Sequence, residues 1–356
     1  MEIKTEIQNI LNVVESKIGR DLNVDHSKME IALDHSRNNQ ALTIKVLSIL
    51  GGILATLAFV VFLYVARFDK SQTALYCFSA IFLILSLWMN QRYDKVLLDT
   101  ISVCLYLLGY VLFGMATDIS RVEPFVCHLL FSLFAIVTLT INRSYILTFI
   151  SVLIFTGSLI AVIFDFHHPD LLHVLLSITA LMTVNFTLNE AKFLKINFTS
   201  GKRYQAIRTG LTFSYLICLY FVGRSLSDEN WAYNYISSAI LISILMWLIN
   251  CLLNRFHCEE MGKKIFIFIV VLVCLGFTAI SPAISGSLLL LLLSFKVNYR
   301  TGVALGIMGF IYFIGMFYYD LNITLLQKSL IMFGSGVFFI LLYFLIFKKS
   351  NSHEKA

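Results

Sequence analysis

Apolar residues in this chain gather into long unbroken runs parted by short polar connections, with no strand-like alternation. The runs lie at 43–66, 72–89, 96–116, 125–141, 144–164, 171–188, 206–223, 234–253, 265–281, 283–295, 301–318 and 325–347. A transmembrane helix needs about 20 apolar residues, within a range of roughly 17 to 25, and most runs reach that length. Barrel strands would instead give alternating segments of about ten residues. Backbone polar groups in lipid must be satisfied inside their own segment, so each run predicts a helix. The expected fold is therefore all-α: a polytopic membrane helix bundle of about twelve spans. The short run at 283–295 is the one whose full crossing stays open.

Composition agrees, since 58% of residues are hydrophobic and 13% charged, against about 25% charged in a soluble domain. The net charge of +6 is spread over loops and forms no basic domain, which argues for no nucleic-acid partner. Its distribution orients the chain. With the N-terminus inside, 22 of the 27 lysines and arginines fall on inside segments, leaving Arg67, Lys70, Arg121, Arg224 and Lys328 outside. Such an asymmetry predicts that both termini are cytoplasmic. It also favours twelve spans, because removing one would invert every later loop.

The domain reading follows: a cytoplasmic segment at 1–42, a bundle at 43–347 and a cytoplasmic tail at 348–356. Ile3, Ile7, Ile10 or Leu11, Val14 and Ile18 recur at helical spacing, predicting an N-terminal amphipathic helix. The first apolar run is too long for a signal peptide and lacks a small-residue cleavage site, so it is expected to remain as an anchor. The seven cysteines are scattered, all but Cys258 within runs, and read as small buried hydrophobes without a disulfide framework. The halves on either side of the connection 189–205 show no self-similarity, and no inverted repeat is expected.

Small residues mark places of close packing. Gly302, Gly306 and Gly309 share one face of the eleventh span and predict a helix-packing seam. Pro124 and Pro169 are expected at the first helical position of spans four and six. Pro282, inside a cluster of small polar residues, predicts either a tight turn between spans nine and ten or a broken, re-entrant helix.

Candidate chemistry is sparse. Ionisable groups deep in a membrane are costly and usually functional. Here Asp99, His128, His173, Arg208 and Lys328 all lie near span ends, where snorkelling or the helix terminus accommodates them. No phosphate loop, zinc helix or nucleophile elbow occurs, so no cofactor and no metal are expected and no catalytic residue is assigned. Asp165, His167, His168, Asp170 and His173 form an outer polar cluster between spans five and six, with His128 on span four as a further member. Imidazole and carboxylate are zinc-type ligands, but the same residues make an ordinary helix-starting loop. A second constellation pairs Tyr318 and Tyr319 with Lys328 at the outer ends of the last two spans, where an ammonium beside phenols can hold an anionic headgroup.

The stretch Tyr318-Tyr319-x-Leu321-x-x-Thr324-Leu325-Leu326-x-Lys328-Ser329, with Gly334 and Gly336 beyond it, resembles the C-terminal signature of bacterial membrane proteins grouped as domain-of-unknown-function family 4401. Where similar proteins tend to show Pro-Gly, this chain has Pro282-Ala283. The resemblance implies an inner-membrane protein that occurs beside related proteins of family 2157, and it supplies no activity. The function expected is binding or moving a lipid-like or small amphiphilic ligand, or scaffolding partners, with membrane lipids and related membrane proteins as partners. The alternative is a membrane enzyme acting on a lipid-linked substrate at the periplasmic face through His167, His168, His173 or Lys328.

Overall fold

A computed structural model of the protein describes residues 71–92, 96–142, 144–195, 201–224, 231–255, 261–276 and 281–320, with single positions in 51–65, 278 and 324–340. The expected segments 1–42 and 348–356, and most of the first and last expected spans, lie outside the described residues.

The labelled elements are α1 (Gln72–Arg92), α2 (Val96–Ile119), α3 (Pro124–Ile141), α4 (Tyr145–Asp165), α5 (Leu171–Leu188), α6 (Glu190–Lys195), α7 (Gly201–Arg224), α8 (Trp231–Arg255), α9 (Met261–Gly276), α10 (Pro282–Val297) and α11 (Arg300–Asp320). All are α-helical, and no strand occurs among the described residues. Eight, namely α1 to α5, α7, α8 and α11, are long and apolar enough to cross a membrane. Their centres fall on the predicted runs because the same requirement, internal satisfaction of the backbone, sets both. One local expectation is corrected. Pro169 stands in a turn ahead of α5, where Leu172 N–H bonds to its carbonyl at 2.9 Å, and Leu171 is the first helical residue.

The chain divides into two compact units, Met1–Phe155 and Thr156–Ala356, the division falling inside α4. In the first unit α1 and α2 form a close hairpin. Ser79 Oγ donates to Gly109 O at 2.8 Å and Ser86 Oγ to Ser102 O at 2.6 Å, while a Cβ on Gly109 would meet Leu83 Cγ at 2.7 Å. Small residues and interhelical hydrogen bonds drive such contacts, since lipid offers helices no hydrophobic reason to associate. At one end Asp99 Oδ1 accepts from Asn90 Nδ2 at 2.7 Å and Ser144 Oγ at 2.6 Å. Deeper, the Tyr106 hydroxyl lies 3.1 Å from Tyr110 Oη and 2.9 Å from Ser151 Oγ, and Ser151 donates to Leu147 O at 2.7 Å. With one proton per hydroxyl, Tyr106 donates to Ser151 and Ser151 to the carbonyl, while the Tyr110 hydroxyl also reaches Phe131 O at 3.5 Å.

Helix α10 forms the centre of the second unit and packs against α5, α7, α8 and α11. Its 16 residues reach only about 24 Å at 1.5 Å per residue. Its N-terminal half, Pro282 to Ser287, is buried throughout. Ala283, Ser285, Gly286 and Ser287 are small enough for neighbours to approach, and Ser285 and Ser287 satisfy their hydroxyls on their own helix, at Pro282 O and Ile284 O. Pro282 is thus the first residue of a buried helix, with Ser281 extended before it. A Cβ on Gly306 of α11 would lie 2.9 Å from Leu291 Cα, so α10 and α11 meet there backbone to backbone.

Candidate functional site

The last tyrosines of α11 and Lys328 come together. Thr324 and Gln327 exchange reciprocal bonds, Thr324 N–H to Gln327 Oε1 at 3.2 Å and Gln327 N–H to Thr324 Oγ1 at 3.4 Å, a capping-box arrangement that starts a helical turn. Lys328, one turn in, reaches back so that its ammonium stands 5.1 Å from the Tyr318 ring centroid and donates to Tyr319 O at 3.4 Å. Tyr319 packs edge-on against Tyr318 and is 80% exposed.

In the outer polar cluster, His173 N–H bonds to Asp170 O at 3.1 Å. His167 adopts a positive φ of 54° and places Nδ1 2.9 Å from Asp165 O, the left-handed conformation in which histidine is enriched. His173 turns inward to Ser237 Oγ on α8 at 3.1 Å. His168 and Asp170 lie in the turn, Asp170 making no side-chain cap bond to α5. His128 belongs to the first unit, against the Phe131 ring. Among the described residues no three His, Cys, Asp or Glu side chains converge as a metal-binding set.

The most developed polar site lies elsewhere, around Arg208 of α7. Helix α10 ends in a left-handed cap: Asn298 has φ 59° and ψ 37°, and Tyr299 N–H bonds back to Ser294 O at 2.8 Å. That cap reverses the chain and sets Tyr299 beside α7, where its hydroxyl meets Thr209 Oγ1 at 3.0 Å. The Tyr299 ring lies over the Arg208 guanidinium at 4.1 Å and the Tyr204 ring, one turn earlier on α7, at 5.4 Å. Tyr204 is held by stacking on Phe186 and by donating to Phe186 O at 2.7 Å. Glu190, opening α6, contacts Arg208 Nη1 at 3.4 Å, with the side chains 42% and 12% exposed. Arg208 Nε is buried without a hydrogen-bond partner. The Arg208 guanidinium is folded under aromatic rings, which attract a cation through their faces.

A groove of about 610 Å³ runs between α5 and α8. Leu181, Val184, Leu188 and Ile244 make its apolar walls, and Asn185, Asn189, Ser243 and Trp247 bring polar groups. Lys296 of α10 stands 5.8 Å from the Trp247 ring, at the end where α5 finishes in Asn189. The helices run parallel here, since His173 meets Ser237 at one end and Leu188 and Trp247 line the groove toward the other.

The profile of a family described as a domain of unknown function, DUF4401, matches residues 41–349. The chain belongs to the DUF4401 family. No curated protein and no solved structure matches it. The matched stretch of this DUF4401 chain contains the Arg208 cluster, the groove and the Lys328 turn. Sequence reasoning singled out Lys328 and its tyrosines but passed over Glu190, Tyr204 and Tyr299. Two signals were available: Tyr204 stands one helical turn before Arg208, and residues 189–208 hold five basic side chains against the single acid Glu190.

Proposed function

We propose that this DUF4401 protein binds a lipid-like or small amphiphilic ligand from within a bilayer. One observation carries the reading: the groove between α5 and α8 combines an apolar wall, from Leu181 to Leu188, with a polar end at Asn185, Asn189 and Trp247. Most ligand sites pair an apolar lining with a few polar groups that fix orientation. An acyl chain lies along the leucines and its head rests at the asparagines, with Lys296 beside Trp247. The proposal includes about twelve spans in a bacterial inner membrane, an amphipathic segment at 1–42 and a tail at 348–356 on the cytoplasmic side, and membrane lipids and related membrane proteins as partners. Tyr318, Tyr319 and Lys328 are proposed as a headgroup contact on the opposite, outer side.

Trp247 provides the test, because the chain has only three tryptophans. With Trp88 and Trp231 replaced by Phe, titration with a brominated-chain amphiphile in detergent should quench Trp247 saturably. Ser243→Phe, which fills the groove, should abolish the saturable part. Quenching that rises only in proportion to the amphiphile in the micelle would reduce the groove to an ordinary lipid-facing surface and overturn the reading.

A further inference from the structure

We propose that Arg208 is the docking point of a second site, for a phosphate group, and that Glu190 occupies it as a built-in competitor. The inference stands on residues outside the α5–α8 groove and does not depend on what that groove binds. A guanidinium carries five donors in a planar fork that matches phosphate and carboxylate oxygens two at a time. Arg208 uses it poorly. Among the described residues its one ion pair is Nη1 to a single Glu190 oxygen at 3.4 Å, where charge-assisted bonds run about 2.7–2.9 Å. Its Nε is buried with no acceptor, although leaving a buried donor unmet costs free energy. Tyr204 Oη donates to Phe186 O and also interacts with the Arg208 side chain, and Tyr299 Oη is engaged with Thr209, but neither meets Nε. Their rings, with centroids 5.4 and 4.1 Å from the guanidinium carbon, hold it in place before any ligand arrives.

Charge points to the class of ligand. Residues 189–208 carry five basic side chains, Lys192, Lys195, Lys202, Arg203 and Arg208, with Glu190 as the one acid, a sequence balance that favours an anionic ligand. Glu190 is itself the evidence that an oxyanion can reach Arg208, since its carboxylate arrives from a side chain that is 42% exposed. Helix α6, which Glu190 opens, has six residues and is short enough to shift when that carboxylate is displaced. The phosphate can come from a lipid headgroup or from a free phosphorylated molecule.

The full chain in lipid nanodiscs distinguishes these. Thermal stabilisation is measured with inorganic phosphate, and separately with phosphatidic acid replacing phosphatidylcholine, for wild type, Glu190→Gln and Arg208→Lys. Removing the competing acid should tighten binding of the effective probe by up to about fivefold, in line with the worth of a partly exposed ion pair. Arg208→Lys keeps the charge and the cation–π contact but loses the fork, and should lose the stabilisation while remaining folded. Stabilisation by phosphatidic acid alone assigns the phosphate to a lipid; stabilisation by both probes assigns it to a free phosphate group. If neither probe stabilises wild type or Glu190→Gln, or if Glu190→Gln binds no more tightly than wild type, Glu190 is only a brace for α6 and the site is overturned. The groove reading survives that outcome, since Trp247 quenching does not involve Arg208.

Discussion

Substituting Gly306 by alanine tests the α10–α11 contact with a built-in control. The added Cβ would stand 2.9 Å from Leu291 Cα and 3.0 Å from Leu291 N, both backbone atoms of α10. Side chains can rotate away from such a clash and a helix backbone cannot, so α11 must withdraw by about 0.5–1 Å to restore van der Waals distance. A gap of that size forfeits roughly a quarter to a half of each dispersion well along the contact, and overpacking a tight site costs about 1–3 kcal/mol. Alanine also gains about 1 kcal/mol over glycine in helix propensity, which would blur a single measurement. At Gly315, on the same helix, an added Cβ would meet nothing within 4 Å, so alanine there gains the propensity without the clash. The difference between Gly306→Ala and Gly315→Ala therefore isolates the steric part. Thermal unfolding in detergent should give Gly306→Ala the lower Tm, by roughly 2–4 °C for each kcal/mol, and Gly306→Leu should fall further. Coincident midpoints for the two alanine variants would refute backbone contact at Leu291.

Two further outcomes bear on the proposals. Reporter fusions after Gly201 and Lys349 should read cytoplasmic and one after His168 periplasmic, as the loop charges require; the same side for Gly201 and His168 would break the span count. Native mass spectrometry of Lys328→Gln with anionic and zwitterionic lipids should show fewer anionic adducts than wild type, because the ammonium now resting 5.1 Å from the Tyr318 ring is removed; unchanged adducts would leave Lys328 as a helix anchor.

The sequence by itself determined where the helices lie. Runs such as 171–188 and 125–141 meet Leu171–Leu188 and Pro124–Ile141 almost residue for residue, because backbone satisfaction in lipid is a local demand that each segment meets alone. Family membership was legible too, in the Tyr318 to Ser329 stretch. Tertiary structure alone decided which polar groups meet. Thr209 and Tyr299 are 90 residues apart, joined only because a left-handed Asn298 turns the chain after α10, and Arg208 becomes an enclosed cation by that meeting. The same holds for 283–295, which sequence length marked as a doubtful span and which proves to be the buried axis of its unit. Lipid solvates every apolar face about equally well, so hydropathy says that a helix forms and carries no information on which face meets which neighbour. That choice rests on pairwise fit, such as Gly306 against Leu291, and pairwise fit exists only once both helices are in place.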